Sequence, residues 1–210
     1  MELGLDSSEG NSQTFNFRFG AKLKRKTEFN ILSSEFDYRK NSSNSVDTAN
    51  RALLDARYEH LFPESRWTCF IHNSEDYDQF KAYDLRVSLD TGVGYRLIKD
   101  DDTWLTAHFG GGTTREIGGP NDRFIPEAVF GLEGEHKISK RQKLTASVEY
   151  RPDVTNFGNY RINGKAAWEV LLDEEKHLSM KFSALDRYDS LVDGHKPNDL
   201  DYAVTLLWSF

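Results

Sequence analysis

Six histidines, one cysteine and two dense acidic stretches hold most of the reactive side chains in this 210-residue chain. The histidines are too dispersed along the sequence for their spacing to propose a metal site. Cys69, between Thr68 and Phe70, excludes an internal disulfide and any cysteine-based zinc site, and it reads as a small apolar residue. Asp186, Asp189, Asp193, Asp199 and Asp201 cluster in one stretch, and Glu75, Asp76, Asp78 and Asp84 in another. Oxygen ligands at that density could hold Ca²⁺, but a solvated anionic loop is the simpler reading. The run Gly110-Gly111-Gly112 lacks the strand-to-helix context of a phosphate loop, so it is expected to relieve crowding or permit curvature in a strand. No metal ligand and no cofactor is assigned.

The elements that must position these residues are strands. Aromatic residues make up 13% of the chain beside only two Met, a strand-biased composition. A net charge of −7 argues against nucleic-acid binding, and no uncharged stretch reaches the length of a membrane-spanning helix. Eleven turn-like clusters recur at near-regular intervals, from Ser7–Ser12 and Lys24–Glu28 to Asp173–Lys176 and Ser190–Asp199. They leave twelve segments, most long enough for a strand of about 9–11 residues. The odd-numbered breaks are mostly long and rich in Ser, Asn, Asp and Gly, whereas the even ones are short and charged. That pattern fits a meander with loops at one end and tight turns at the other, in a single domain over residues 1–210.

Within these segments side chains alternate by type. In Phe15–Lys24 the odd positions are Phe15, Phe17, Phe19, Ala21 and Leu23, and the even ones include Arg18, Lys22 and Lys24. Leu85–Leu97, Lys143–Pro152, Tyr160–Leu172 and Leu200–Phe210 behave alike. Over the five segments the apolar face has 30 positions and no charge, while the other has 27 positions and 13 charges. A chain with 29% charged residues does not give that segregation by accident. Alternation leaves the phase of Trp67–Ser74 and Thr103–Thr113 open.

A soluble barrel buries its apolar face; a transmembrane barrel turns that face to lipid and the charges to its lumen. Twelve strands enclose too wide a space for one apolar layer to fill. Apolar-face aromatics also gather at strand ends, with Tyr150, Tyr160 and Tyr202 beside long loops and Tyr58, Trp67, Tyr95, Trp168 and Trp208 beside short turns. Such belts suit two membrane interfaces. The fold expected is therefore an all-β, antiparallel up-and-down transmembrane barrel of about 12 strands, with long extracellular loops and short periplasmic turns. On its inner face Arg151, Arg161, Lys165, Lys181 and Arg187 form a basic wall, next to Glu127, Glu133 and Glu135 on the preceding strand. Outward-facing His60 and His136 would suit a serine-type lipid-cleaving site only with an outward Ser opposite, and no defensible register supplies one. No catalytic residue is assigned.

At these residues the sequence resembles bacterial outer-membrane proteins. Tyr202, Val204, Leu206, Trp208 and Phe210 alternate to the last residue, as in the C-terminal strand that the outer-membrane assembly machinery recognises. More narrowly, the chain resembles the salt-induced outer-membrane protein family, domain-of-unknown-function family 481. The residues that carry the resemblance are Ser7–Ser12, Phe19–Glu28, the Thr91–Ile98 stretch followed by Trp104 and Gly110–Gly112, and the Asp201–Phe210 strand. The resemblance implies an outer-membrane location and contact with membrane lipid and lipopolysaccharide. It also implies a signal peptide, which the opening Met-Glu-Leu-Gly-Leu does not supply. It implies no established activity. The leading expectation is a passive, non-enzymatic channel for small solutes or ions. A sealed barrel with a structural or envelope-stress role is the alternative, and an outer-membrane lipid enzyme the third.

Overall fold

The computed structural model of the chain describes residues 2–8, 14–119, 122–191 and 196–208. It contains twelve strands: β1 (Glu2–Ser8), β2 (Thr14–Lys26), β3 (Asn30–Ser43), β4 (Val46–Leu61), β5 (Trp67–Asp78), β6 (Leu85–Lys99), β7 (Thr103–Ile117), β8 (Phe124–Ser139), β9 (Gln142–Pro152), β10 (Tyr160–Asp173), β11 (Leu178–Asp189) and β12 (Asn198–Trp208). Each pairs antiparallel with its sequence neighbours, and β1 closes the barrel on β12 through Glu2↔Leu207 and Leu3↔Leu206. No helix occurs among the described residues.

The location of the apolar residues decides which way the barrel faces. Leu61, Phe70, Tyr83 and Val129 are the buried hydrophobic residues among those described. In contrast, Leu23, Ile71, Leu89, Val93, Phe109, Phe130, Leu144, Val148, Val204 and Leu206 are exposed on the outer wall. Burial of Arg151, Asp90, Glu127 and His72 inside, with leucine and phenylalanine outside, inverts the usual soluble arrangement and matches a lipid-facing wall. Tyr58, Trp67, Tyr150, Trp168, Tyr202 and Trp208 are exposed on that wall, and Tyr202 reaches 83% exposure. Trp67 and Tyr95 meet edge to face at 4.9 Å near the short-turn rim, and Tyr160 stacks on Tyr188 at 5.5 Å near the opposite rim.

Strands run further than turn-forming residues suggest. The third break, expected as a long loop over Asn41–Asp47, is a two-residue hairpin in which Asn44 (φ 49°) and Ser45 (φ 63°) are both left-handed. Likewise Glu75–Asp78 and Thr114–Ile117 belong to strands rather than loops. Polar residues mark where strands rise above the hydrocarbon layer, and backbone pairing continues past that point. The two undetermined phases also resolve: Thr68, Phe70 and His72 of β5 line the interior or are buried against it, as do Trp104, Thr106 and His108 of β7. A register shift between Arg96 and Ile98 sets Ile98 opposite Leu105 and Lys99 opposite the inward Trp104, so simple alternation ends at that point.

Candidate functional site

Inward residues of consecutive strands meet across the lumen because the barrel brings every second position of all twelve strands to one space. On one side of that space the charges are consumed by pairing. Arg151 is 2% exposed; it donates from Nε to Glu127 Oε2 at 3.2 Å and from Nη1 to Glu149 Oε1 at 3.0 Å. Its Nη2 reaches across to Asp90 on β6. Arg161, directly opposite Arg151 in the β9–β10 register, donates to both oxygens of Glu127 at 2.7 and 2.6 Å and to Thr114 Oγ1 at 2.8 Å. Glu127 therefore lies between two guanidinium groups that would otherwise repel. Thr114 donates to Glu127 at 2.7 Å and bonds Ser88 at 2.8 Å.

At the other end of this network His72 places Nδ1 3.1 Å from Asp90 and Nε2 2.9 Å from Asp55. A ring with a carboxylate oxygen at each nitrogen donates from both, the geometry of the imidazolium form. The chain Asp55–His72–Asp90–Arg151–Glu127–Arg161 thus links β4 to β10. Its permissive element is glycine: a Cβ at Gly112 would lie 2.2 Å from Leu89 O and 2.3 Å from Asp90 Oδ1. Only a bare Cα opposite Asp90 lets that carboxylate lie between its two cations.

The network runs along the wall from β4 to β10 and leaves space beside it. A cavity of about 840 Å³ is lined at the short-turn end by Lys26, Asp100, Asp101, Asp102 and Lys137, and at the long-loop end by Lys81, Pro197 and Asp199. Lys165, Lys181, Glu133 and Glu135 line it between those ends. Nearer the short turns Lys143 approaches Glu169 at 3.3 Å and Glu135 at 3.9 Å, and Lys24 lies over the inward Trp104 ring at 5.7 Å.

A second cavity of about 370 Å³ forms the mouth at the long-loop end. Arg18, Arg39, Arg51, Lys81, Arg187 and Lys196 line it against Asp37, Asp78, Asp199 and Asp201. Arg187 donates to Asp201 at 2.8 Å, Arg39 bonds the other oxygen of the same carboxylate, and Lys81 donates to Asp199 at 2.7 Å. Arg51 holds Asp76 at 2.7 Å, and Arg86 joins Glu116 to Asp189. Tyr83, in the loop between β5 and β6, packs its ring 4.5 Å from the Arg86 guanidinium, and burial pushes its hydroxyl up to about 12.

These placements bear on two sequence expectations. The acidic stretches are not simply solvated loops: Asp76, Asp189, Asp199 and Asp201 are inward strand residues held in ion pairs. Asp193 and Phe210 lie outside the described residues. Of the basic wall, Arg151, Arg161 and Arg187 are engaged by carboxylates, while Lys165 faces Glu35 and Asp55 at longer range. Asp90, His72, Glu59 and His108 went unrecognised in the sequence because they sit on or opposite the two strands of open phase. On the outer wall His60 bonds Asn30 at 2.9 Å and faces Cys69 across the strand pair, and His136 bonds Thr103 at 2.8 Å. Neither has a serine opposite.

Comparison with known proteins agrees with this architecture. The NanC porin superposes over 100% of this chain and 98% of its own, with a TM-score of 0.56 at 9% identity. The KdgM porin in complex with disordered oligogalacturonate superposes over 100% and 99%, with a TM-score of 0.51 at 12% identity. At such identities the likeness shows the fold: that of small porin barrels. No curated protein sequence matches the chain. The family model described as "Protein of unknown function, DUF481" matches residues 1–210, and the chain belongs to that family.

Proposed function

We propose that the protein is a passive, non-enzymatic channel of the bacterial outer membrane for small solutes, with preference for anionic or zwitterionic ones. The observation that carries this reading is the cavity lined by Asp101 and Lys137 at one rim and by Lys81 and Asp199 at the other, so that one space runs the length of the barrel. Its volume falls in the range of about 300–1,000 Å³ typical of small-molecule cavities. Six basic side chains against four carboxylates at the mouth give an entering carboxylate a favourable field. The structural relative described with oligogalacturonate, an acid sugar, supports the same solute class. In this reading the outer wall contacts membrane lipid and lipopolysaccharide, and the C-terminal sequence carrying Tyr202, Val204, Leu206, Trp208 and Phe210 is the signal for the assembly machinery.

The buried Arg151 network favours a second, narrower reading, a barrel sealed by ion pairs. It is set aside because the most deeply buried members of that network, Asp90, Glu127 and Arg151, lie on β6–β9 and the cavity lined by Lys165, Lys181 and Glu35 passes alongside them. Liposome swelling distinguishes the two. Vesicles carrying the folded protein are expected to swell in an isotonic monosaccharide acid faster than in a neutral disaccharide, and no swelling above empty vesicles in either would refute the channel.

A further inference from the structure

Three inward side chains on three strands converge in the short-turn half of the barrel. His108 of β7 places Nε2 3.7 Å from Glu133 Oε1 of β8 and 4.0 Å from Glu59 Oε1 of β4. One ligand atom from each lies within 4.8 Å of the other two. Both separations are too long for hydrogen bonds. They are what two ligands about 2.1 Å from a shared ion give when they subtend roughly 120–145° at it.

The histidine is the telling member. It is 3% exposed, yet Nε2 has no hydrogen-bond partner among the described residues. Its ring is held by its surroundings: a Cβ at Gly94 would lie 3.0 Å from His108 Cδ2 and 3.3 Å from Nε2, and Phe70 meets the ring edge-on at 5.5 Å. Thr68 Oγ1, buried over the same glycine, is likewise without a partner. Native interiors seldom leave such polar atoms unmatched unless a ligand, ion or water takes them. The charge of Arg57 acts on Glu59; its guanidinium stacks 4.1 Å from the Phe70 ring with Nε and Nη2 unbonded.

We propose that Glu59, His108 and Glu133 bind a divalent transition-metal ion on the inner wall of the barrel. One imidazole and two carboxylates form a donor set suited to Zn²⁺ or Co²⁺, whereas Ca²⁺ and Mg²⁺ take oxygen-only sets. Glu133 is half-exposed to the cavity, so an ion reaches the site from the lumen and keeps a coordination position open on that side. Arg57 offsets part of the carboxylate charge and lowers the affinity. The proposal is independent of solute conduction and needs only the folded barrel.

The test uses tag-free, metal-stripped protein refolded in detergent, with folding of each variant checked by heat-dependent gel mobility. Titration with Co²⁺ is expected to produce visible d–d absorption saturating at one ion per chain and displaced by Zn²⁺. His108→Gln and the double variant Glu59→Gln/Glu133→Gln are expected to weaken binding by more than the roughly 10–100-fold that a supporting residue alone costs. Arg57→Gln is expected to tighten it. Absence of saturable binding would overturn the proposal, as would unchanged Co²⁺ affinity in the folded Glu59→Gln/Glu133→Gln variant, which would place the ion elsewhere. Should His108→Gln fail to fold, the half-exposed Glu133→Gln alone decides the matter.

Discussion

Asp90 on β6 receives the Arg151 guanidinium of β9 across the barrel interior, and neither side chain is more than 3% exposed. Their strands do not pair, so the contact exists because the sheet curves round to bring β6 and β9 to a shared interior. Arg151 supplies charge to three carboxylates at once; its removal takes from Glu149 its ion-pair partner and leaves the buried Asp90 and Glu127 with one cation each, His72 and Arg161.

Arg151→Ala is therefore expected to lower barrel stability by about 3–5 kcal/mol, the cost of breaking a buried pair from one side. Urea-dependent folding in lipid vesicles measures it. A loss under 1 kcal/mol would mean that the network is a surface-like decoration.

The glycine facing Asp90 gives a sharper contrast. Gly112→Ala puts a methyl 2.2 Å from Leu89 O, whereas a Cβ at Gly111 has its nearest neighbour, Glu127 O, at 3.5 Å. Gly112→Ala is expected to cost about 1–3 kcal/mol in the same assay and Gly111→Ala far less. Equal effects would contradict the role assigned to Gly112.

Much of the architecture could be read from alternation alone. Phe15–Lys24 declares its two faces because lipid and lumen make opposite demands on neighbouring positions. The interior contacts were not legible in the same way. β5 reads Trp67-Thr68-Cys69-Phe70-Ile71-His72, with apolar residues at both parities, because Phe70 turns inward to carry Arg57 and His108. β7 has three consecutive glycines at its middle, which carry no side chains to show the phase there. Without those two phases, Asp90, His72 and His108 cannot be assigned to one space. Their meeting also depends on the shear of the closed sheet, a property of all twelve strands together. Loop lengths were misread for a different reason: polarity at Asn41–Ser43 marks the membrane surface, and the strand continues through it.

The inside–outside assignment predicts unequal costs for the same charge. Val93, exposed on the outer wall near the middle of β6, should lose about 2–4 kcal/mol as Val93→Arg. Ser147 lines the cavity, and Ser147→Lys should change stability by about 1 kcal/mol or less. Similar losses at both positions would invert the assignment.

Charge selectivity should follow the lining. Lys165 faces the cavity opposite Glu35 and Asp55. Lys165→Glu is expected to move the reversal potential in a salt gradient toward cation preference, and Glu35→Gln to move it the other way. Identical reversal potentials in both variants and the parent would show that ions do not pass this wall.

The most direct test of the account is planar-bilayer recording of the refolded protein. A lumen that runs past the Arg151 network predicts discrete, ohmic conductance steps that persist in Lys165→Glu with altered selectivity. A barrel shown to be folded by its gel mobility but giving no conductance above the bare membrane would contradict it.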